Sequence, residues 1–301
     1  MTAAAGLSLP PTIRTQRILR INRVVADPSR AEAFYRDALG FRAMARRPVD
    51  GSMLAALGAG DNPAEEAVLR LGAEEIALVC FAVPGRPYPP QSRSDDLWFQ
   101  HLAIVVSDMD AAYARLSATP GWNPISGGGP QTLPPSDGAV RAFKFRDPDG
   151  HPLELLWFPP GQGRAVWHKG GPGPFLGIDH SGLAVSSTRQ SVKFYAALGF
   201  SVTARSLNRG PPQERLDGIS PVRAVVTGLR PASDAGPGLE LLGYEPAGRA
   251  AAIGAPNDLV TDWITLAVAS ATGPVPHALR DPDGHRLVLV DHGNGGTGAP
   301  A

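Results

Sequence analysis

The sequence has few of the residues and runs that mark specialised classes of protein. A single cysteine among 301 residues excludes an internal disulfide framework. Lysine plus arginine and aspartate plus glutamate both number 28, so the basic excess typical of nucleic-acid binders is missing. No apolar stretch reaches the roughly 20 residues that cross a bilayer, and residues 1–16 lack the apolar core of a signal peptide. We therefore expect a cytoplasmic protein with no nucleic-acid or membrane partner.

What the sequence does contain is an ordinary globular composition with many turn formers. Hydrophobic residues make up 43% of the chain, and glycine and proline number 35 and 31. At about 100–200 residues per domain, the length suggests about two domains. The glycine and proline content predicts numerous tight turns and connectors rather than general disorder.

Two short segments of the first half return in the second half. Residues 32–41 (EAFYRDALGF) return at 191–200 (SVKFYAALGF), and 147–151 (DPDGH) return at 281–285. Strand-like runs at 19–26, 99–106, 178–185 and 262–268 align at Arg20, His101, His180 and Trp263, at intervals of 81, 79 and 83 residues. This near-constant period indicates four copies of one unit, which we call modules 1 to 4.

Helix signals follow the opening strand of the first three modules. Asp27 with Pro28, Asp108, and Ser187 with Thr188 are residues that begin helices, and Gly40 and Gly199 are residues that end them. Three further strand-like runs complete each of these modules. The predicted fold class is therefore α+β, with tandem βαβββ modules forming curved mixed sheets around a cleft.

Module 4 is shorter than the others. His101 precedes Asp147 by 46 positions, but Trp263 precedes Asp281 by only 18. We expect this module to keep the opening strand, a strand at 277–280 and a final strand at 287–290. The predicted division is a disordered arm (1–16), a first domain of modules 1 and 2 (17–158), a linker (159–174), a second domain of modules 3 and 4 (175–292) and a flexible tail (293–301).

Two strands carry a carboxylate among apolar residues. Glu154 lies in PLELLW and Glu240 in GLELL, and the opening strands of the same two modules carry His101 and His180. Each glutamate alone is compatible with a position facing solvent, but a buried one needs a partner or a metal ion. The recurrence of one His and one Glu in modules 2 and 3 indicates ligand positions. The equivalent positions of modules 1 and 4 hold other residues, namely Arg20, Ala77, Trp263 and Val288.

This pattern resembles the vicinal oxygen chelate superfamily, which includes glyoxalase I, extradiol dioxygenases and bleomycin-resistance proteins. The resemblance implies that His101, Glu154, His180 and Glu240 bind one divalent metal ion, and Zn, Ni, Co, Mn and Fe(II) all suit these donors. The four residues converge only if module 2 pairs with module 3. Module 1 would then pair with module 4 around a degenerate site. A homodimer that brings the pairs together is the alternative to this crossed monomer.

The resemblance also implies a small-molecule substrate and leaves three functions open. We favour isomerase or lyase chemistry next to a carbonyl group, through an enediolate, with Glu154 or Glu240 as the general base. An Fe(II) extradiol dioxygenase would use two histidines and one carboxylate, so the second glutamate argues against it. A metal-free binding or resistance protein would use the same residues as a hydrogen-bonded cluster.

Several other residues carry weaker signals. The polar loop 208–218 is a candidate lid or specificity loop, with an ordinary surface connection as the alternative. His151 and His285 follow turns, where solvated positions are expected. The cations with a position near a cleft are Arg20, Arg23, Lys144 and Arg223.

Overall fold

The computed structural model describes residues 13–134, 139–233, 236–250, 254–269 and 275–291, and its elements repeat module by module. Module 1 comprises β1 (Arg14–Val24), α1 (Pro28–Leu39), β2 (Arg42–Pro48), α2 (Gly51–Leu57), β3 (Ala64–Leu71) and β4 (Glu74–Phe81). Module 2 comprises β5 (Gln100–Val106), α3 (Met109–Ser117), β6 (Asn123–Pro124), β7 (Gln131–Thr132), β8 (Arg141–Arg146) and β9 (Pro152–Trp157). Module 3 comprises β10 (Phe175–Ala184), α4 (Thr188–Ala197), β11 (Ser201–Arg209), α5 (Pro211–Asp217), β12 (Arg223–Arg230) and β13 (Gly238–Tyr244). Module 4 comprises β14 (Trp263–Ala269), β15 (His277–Arg280) and β16 (Arg286–Asp291).

The predicted helix starts are the residues that cap the helices. The carboxylate of Asp27 accepts hydrogen bonds from the backbone N–H groups of Ser29 and Arg30, and Asp108 caps α3 in the same way. Ser187 caps α4 by accepting from the backbone N–H of Gln190. These side chains satisfy donors that the first helical turn leaves without a partner. The sequence therefore located the first helix of each of these modules correctly.

Two helices occupy segments that the sequence analysis did not predict as helical. α2 and α5 each follow the second strand of their module, and α5 replaces most of the loop predicted at 208–218. β1 begins at Arg14, three residues before the predicted start of the first domain. The predicted linker contains one short 3-10 helix, Ala165–His168. The predicted tail and residues 1–12 of the predicted arm lie outside the described residues.

The strands form two mixed sheets that pair the modules in the crossed manner. One sheet has seven strands in the order β15-β16-β14-β1-β4-β3-β2, from modules 4 and 1. The other has nine strands, β11-β12-β13-β10-β5-β9-β8-β6 with β7 beside β8, from modules 3 and 2. The opening strands meet antiparallel at each junction, β1 with β14 and β10 with β5. The predicted α+β class with repeated βαβββ modules is confirmed, and each sheet takes strands from both halves of the chain.

The period of two along the strands separates a core face from a cleft face. On β5, Leu102, Ile104 and Val106 belong to the largest buried apolar cluster, which also contains Tyr35 of α1 and Leu116 of α3. His101 alternates with these residues and therefore faces the opposite side of the sheet. None of the described helices is long and apolar enough to cross a membrane.

Candidate metal centre

The strand register of the nine-stranded sheet brings the four predicted ligands together. Across the β5–β10 junction, His101 pairs with Gly182, and Ala103 pairs with His180. Parallel pairing then sets Glu154 of β9 beside Ala103. In the same way, Glu240 of β13 lies beside Gly182. The four side chains therefore share one face of four neighbouring strands within a single chain.

Three of the four form a tight buried cluster. His101 Nε2 lies 3.0 Å from Glu154 Oε2, and the Nε2 atoms of His101 and His180 are 3.2 Å apart. His180 Nε2 is 4.0 Å from Glu154 Oε2. Metal–ligand bonds of about 2.0–2.2 Å place two donors no more than about 4.4 Å apart. These spacings therefore fit a common metal ion.

Glu240 lies beside this cluster rather than within it. Its Oε1 is 3.6 Å from His180 Nε2, but the set of donor atoms that lie within 4.8 Å of one another includes only His101, Glu154 and His180. The side chain of Glu240 is 25% exposed and that of Glu154 is 6% exposed. The two glutamates that the sequence treats as equivalent thus differ in position.

The orientation of His180 is fixed by the residue before it. Asp179 Oδ2 lies 3.0 Å from His180 Nδ1 and accepts a hydrogen bond from it, which leaves Nε2 pointing at the cluster. The other oxygen of Asp179 accepts from Trp167 Nε1 at 3.0 Å and from Arg230 at 3.3 Å. A carboxylate in this position selects the tautomer of a ligating histidine and strengthens it as a donor.

His101 lies against a glycine because no larger residue leaves room for its ring. A Cβ atom added to Gly182 would lie 2.1 Å from Cε1 of His101. His101 is fully buried, and its Nδ1 has no hydrogen-bond partner among the described residues. The missing Cβ of Gly182 thus defines the position of the first histidine.

Burial and the short distances within the cluster shift the pKa values of its side chains. Burial lowers the pKa of His101 to about 4. Burial also disfavours charge on His180, but Glu240, Asp179 and Glu154 outweigh it and raise the pKa to about 9. Burial disfavours the charged form of Glu154, but Lys144 and His101 outweigh it and lower the pKa to about 2. The pKa of Glu240 is raised, because the side chain is buried and lies near the charge of Glu154. A divalent ion bound here would take the place of the proton on His180 Nε2, and the donor set fits such an ion.

A cavity of 540 Å³ opens beside the cluster, between modules 2 and 3. Glu154, His180 and Glu240 line it, together with Lys144 of β8, which pairs with Glu154 across the strands. Lys144 is buried and its Nζ lies 2.6 Å from Oδ1 of Asp217, the last residue of α5. The volume is in the range of small-molecule sites.

The helix α5 crosses from module 3 to module 2 over this cavity. The carbonyl groups of its last turn accept hydrogen bonds from module 2 and from the segment before it: Arg215 from Gly127 N, Leu216 from Ser126 Oγ and Asp217 from Ser94 Oγ. These bonds satisfy acceptors that a helix end otherwise exposes. The segment predicted as a lid or a surface connection is thus a docked helix that closes one side of the cavity.

The equivalent cleft of modules 1 and 4 is filled. Trp263 replaces the first histidine and is 2% exposed, in a cluster with Leu54 and Leu57 of α2, Ala77 and Val288. At the position of the second histidine, Arg20 donates to Asn22 and pairs with Glu66 at 3.0 Å. No group of three metal-ligating side chains is found here among the described residues.

His151 and His285 are buried, so their predicted positions as solvated turn residues are wrong. His151 Nδ1 lies 3.0 Å from Asp147, and Nε2 lies 2.9 Å from the carbonyl of Leu259 in the segment before β14. Burial disfavours the charged ring, but Asp147 and Asp262 raise the pKa of His151 to about 9. The DPDGH motif is therefore a junction between modules. Of the cations near a cleft, Arg23 is fully buried in this junction and Arg223 pairs with Glu245 at the surface.

Four residues that shape the site were not predicted as site residues. Asp179 and Gly182 lie close to His180 in the opening strand, and a glycine inside a strand signals close approach of another group. Lys144 was predicted only as a cation near a cleft, and its partner Asp217 only as part of the polar loop 208–218. Their pairing depends on the docking of α5, for which the sequence carries no local signal.

Paired βαβββ modules with a His–Glu–His cluster on the inner strands define the class of protein. Residues 17–155 match the model of the Glyoxalase/Bleomycin resistance protein/Dioxygenase superfamily. The match spans modules 1 and 2, so this part of the chain is similar to members of that superfamily.

Solved structures show the same fold over most of the chain. Glyoxalase I from Zea mays matches with a TM-score of 0.57 at 20% identity, covering 91% of this chain and 92% of that chain. A point mutant of that enzyme matches with a TM-score of 0.60 at 20% identity and the same coverage. A putative dioxygenase from Bacillus subtilis matches with a TM-score of 0.56 at 16% identity, covering 92% of this chain and 86% of that chain. No curated protein matches the sequence.

Proposed function

We propose that the protein is a metal-dependent isomerase or lyase that acts at a carbon next to a carbonyl group, with His101, Glu154 and His180 holding the ion. The observation that carries this proposal is the separation of the two glutamates. Glu154 lies 3.0 Å from His101 inside the cluster, whereas Glu240 lies beside the cluster and is a quarter exposed on the cavity side. A carboxylate in that position is suited to move a substrate proton.

The chemical roles of the metal ion and of Glu240 follow from these positions. A divalent ion in the cluster, whether Zn, Ni, Co, Mn or Fe(II), supplies a Lewis acid that polarises a substrate carbonyl. Glu240 takes the proton from the adjacent carbon, and the electron pair of the broken C–H bond moves towards the carbonyl oxygen. In an isomerase that acts on an α-hydroxycarbonyl compound, protonated Glu240 returns the proton to the former carbonyl carbon. The hydroxyl proton of the substrate then moves to the former carbonyl oxygen, and the carbon that carried the hydroxyl becomes the new carbonyl. In a lyase, the electron pair instead expels a leaving group.

Replacement of Glu240 tests this assignment. We expect Glu240→Gln to keep a stoichiometric metal ion but to slow exchange of the α-proton of a phenyl α-hydroxyketone into heavy water by about 10²–10⁴-fold, the usual contribution of a general base. Metal content is measured by elemental analysis and proton exchange by NMR. The matched variant Glu154→Gln should instead lose the metal. Loss of metal in Glu240→Gln, or unchanged exchange, would show that Glu240 is not the base.

The composition of the cluster favours a second candidate, an Fe(II) extradiol dioxygenase. Two histidines and one carboxylate, as in His101, Glu154 and His180, are the ligand set of non-haem iron oxygenases. Oxygen uptake by iron-loaded protein on addition of catechols, retained in Glu240→Gln, would favour this function over the isomerase. Protein that takes up no stoichiometric divalent ion would favour a metal-free binding protein over both.

A further inference from the structure

One wall of the cavity is an apolar surface. Leu133, Val140, Ala142 and Leu156 of module 2 form a buried cluster with Leu216 of α5, and Phe158 packs against it. All six side chains line the cavity. Burial of apolar substrate surface against such a wall is favourable. The wall offers no hydrogen-bond or ionic partner to a charged substrate group.

The cations of the cavity wall are already engaged by the protein. Lys144 Nζ is 2.6 Å from Asp217, and the two side chains are 3% and 0% exposed. Arg230 pairs with Asp179 at 3.3 Å. Arg164 donates to the carbonyl of Gly236 at 3.1 Å and lies over the ring of Trp167. Each of these three cations therefore already has a partner within the protein.

Polar side chains of the cavity wall also have hydrogen-bond partners within the protein. Ser206 donates to Asn208, Asn208 to Gln213, and Gln213 to the second oxygen of Asp217 at 2.8 Å. An anionic substrate group placed against these side chains would therefore lose its hydration without gaining a partner.

We infer that the substrate has an uncharged, largely apolar body that lies against this wall, and that Asp217 of α5 sets this preference by neutralising Lys144. The inference rests on the proposed function only for the end of the substrate that faces the cluster. Asp217 is the specificity-determining residue because it pairs with Lys144, and a hydrogen bond from Ser94 to its carbonyl holds the end of α5 in place.

Equilibrium binding of two matched probes tests the inference without turnover. The probes are a phenyl α-hydroxyketone and the same compound with a para-carboxylate, each titrated into metal-free and metal-loaded protein by calorimetry. We expect the uncharged probe to bind at least about tenfold more tightly, because the carboxylate is buried without a partner. Equal or tighter binding of the carboxylate, or no binding of either probe to protein that holds its metal, would overturn the inference.

Removal of the neutralising charge should reverse the preference. In Asp217→Asn, Lys144 becomes available to a substrate anion, and we expect the carboxylate probe to gain about 10–100-fold in affinity relative to the uncharged probe. Asp37→Asn, which removes a surface pair with Arg36, is the matched control and should leave the ratio unchanged. An unchanged ratio in folded Asp217→Asn would contradict the role of Asp217.

A double variant covers the case in which an unpaired Lys144 prevents folding. Lys144→Met with Asp217→Leu removes both charges, and we expect it to keep the preference for the uncharged probe. A gain of the carboxylate probe in this variant would overturn the inference. Failure of the unmodified protein to take up a metal ion would refute the proposed function. The ratio of the affinities of the two probes for metal-free protein would still decide the substrate class.

Discussion

The two clefts of the molecule are built from equivalent strands whose opening strands pair in the same register, but their contents are opposite. Across the β5–β10 junction His101 faces Gly182, and across the β1–β14 junction Trp263 faces Asn22. The first cleft contains three converging donors and a cavity of 540 Å³. In the second, Trp263 packs under α2. The fold thus supplies the geometry of a site, and a few side chains decide whether it is open or filled.

The covering helices show the same contrast. α2 and α5 follow equivalent strands, but α2 inserts Leu54 and Leu57 into its cleft, and Arg286 donates to the carbonyl of Leu57. α5 is instead held above its cleft by the buried pair of Lys144 and Asp217. An apolar helix face collapses onto an apolar cleft, whereas a buried ion pair keeps polar surface between the walls. We therefore regard the filled cleft as a structural support for the open one.

The largest effect that separates the two clefts is expected for Trp263. Trp263→Ala leaves a cavity under α2, and we expect the free energy of unfolding to fall by about 3–5 kcal/mol, as for other buried tryptophans. Denaturant unfolding measures this loss. Metal content should not change, because the residue belongs to the other sheet. A loss below about 1 kcal/mol would show that the cleft of modules 1 and 4 is not tightly filled.

The sequence predicts those parts of the fold that depend on local signals. Asp27 and Gly40 delimit α1 because a capping carboxylate and a left-handed glycine act on adjacent backbone groups. The repeated DPDGH motifs and the recurring strand-like runs then predict the four modules, including the shortened fourth. The crossed pairing was predicted because only that arrangement brings His101 and His180 together.

The remaining features depend on contacts between modules, for which the sequence has no local signal. His151 is buried against the segment before β14, where the carbonyl of Leu259, which is distant in sequence, contacts its ring. The difference between Glu154 and Glu240 is set by side-chain packing, since both lie in nearly identical strands. α5 is a seven-residue helix that starts with two prolines, and its docking on module 2 stabilises it more than its own composition does.

A smaller effect is expected at the position where the first cleft has Gly182 and the second has Asn22. Gly182→Ala places a methyl group against the ring of His101, and we expect metal affinity to fall by about 10–100-fold, as when the support of a ligand is disturbed. Competition with a metal indicator measures the affinity. Gly51→Ala, at the start of α2, has nothing within 4 Å of the added atom and is the matched control. Unchanged affinity in Gly182→Ala would mean that His101 does not bind the ion in this orientation.

The smallest effect is expected for the carboxylate of the filled cleft. Glu66 pairs with Arg20 at 3.0 Å and with Arg47 at 2.7 Å, and the side chains of these arginines are 18% and 56% exposed. Because water and salt screen such pairs, we expect Glu66→Gln to lower the free energy of unfolding by about 1 kcal/mol, and by less at high salt. Thermal unfolding at low and high ionic strength measures this loss. Metal binding should be unaffected, in contrast to Glu154→Gln. A loss of metal in Glu66→Gln would show that the two clefts are coupled, and the filled cleft would then be part of the functional site rather than its support.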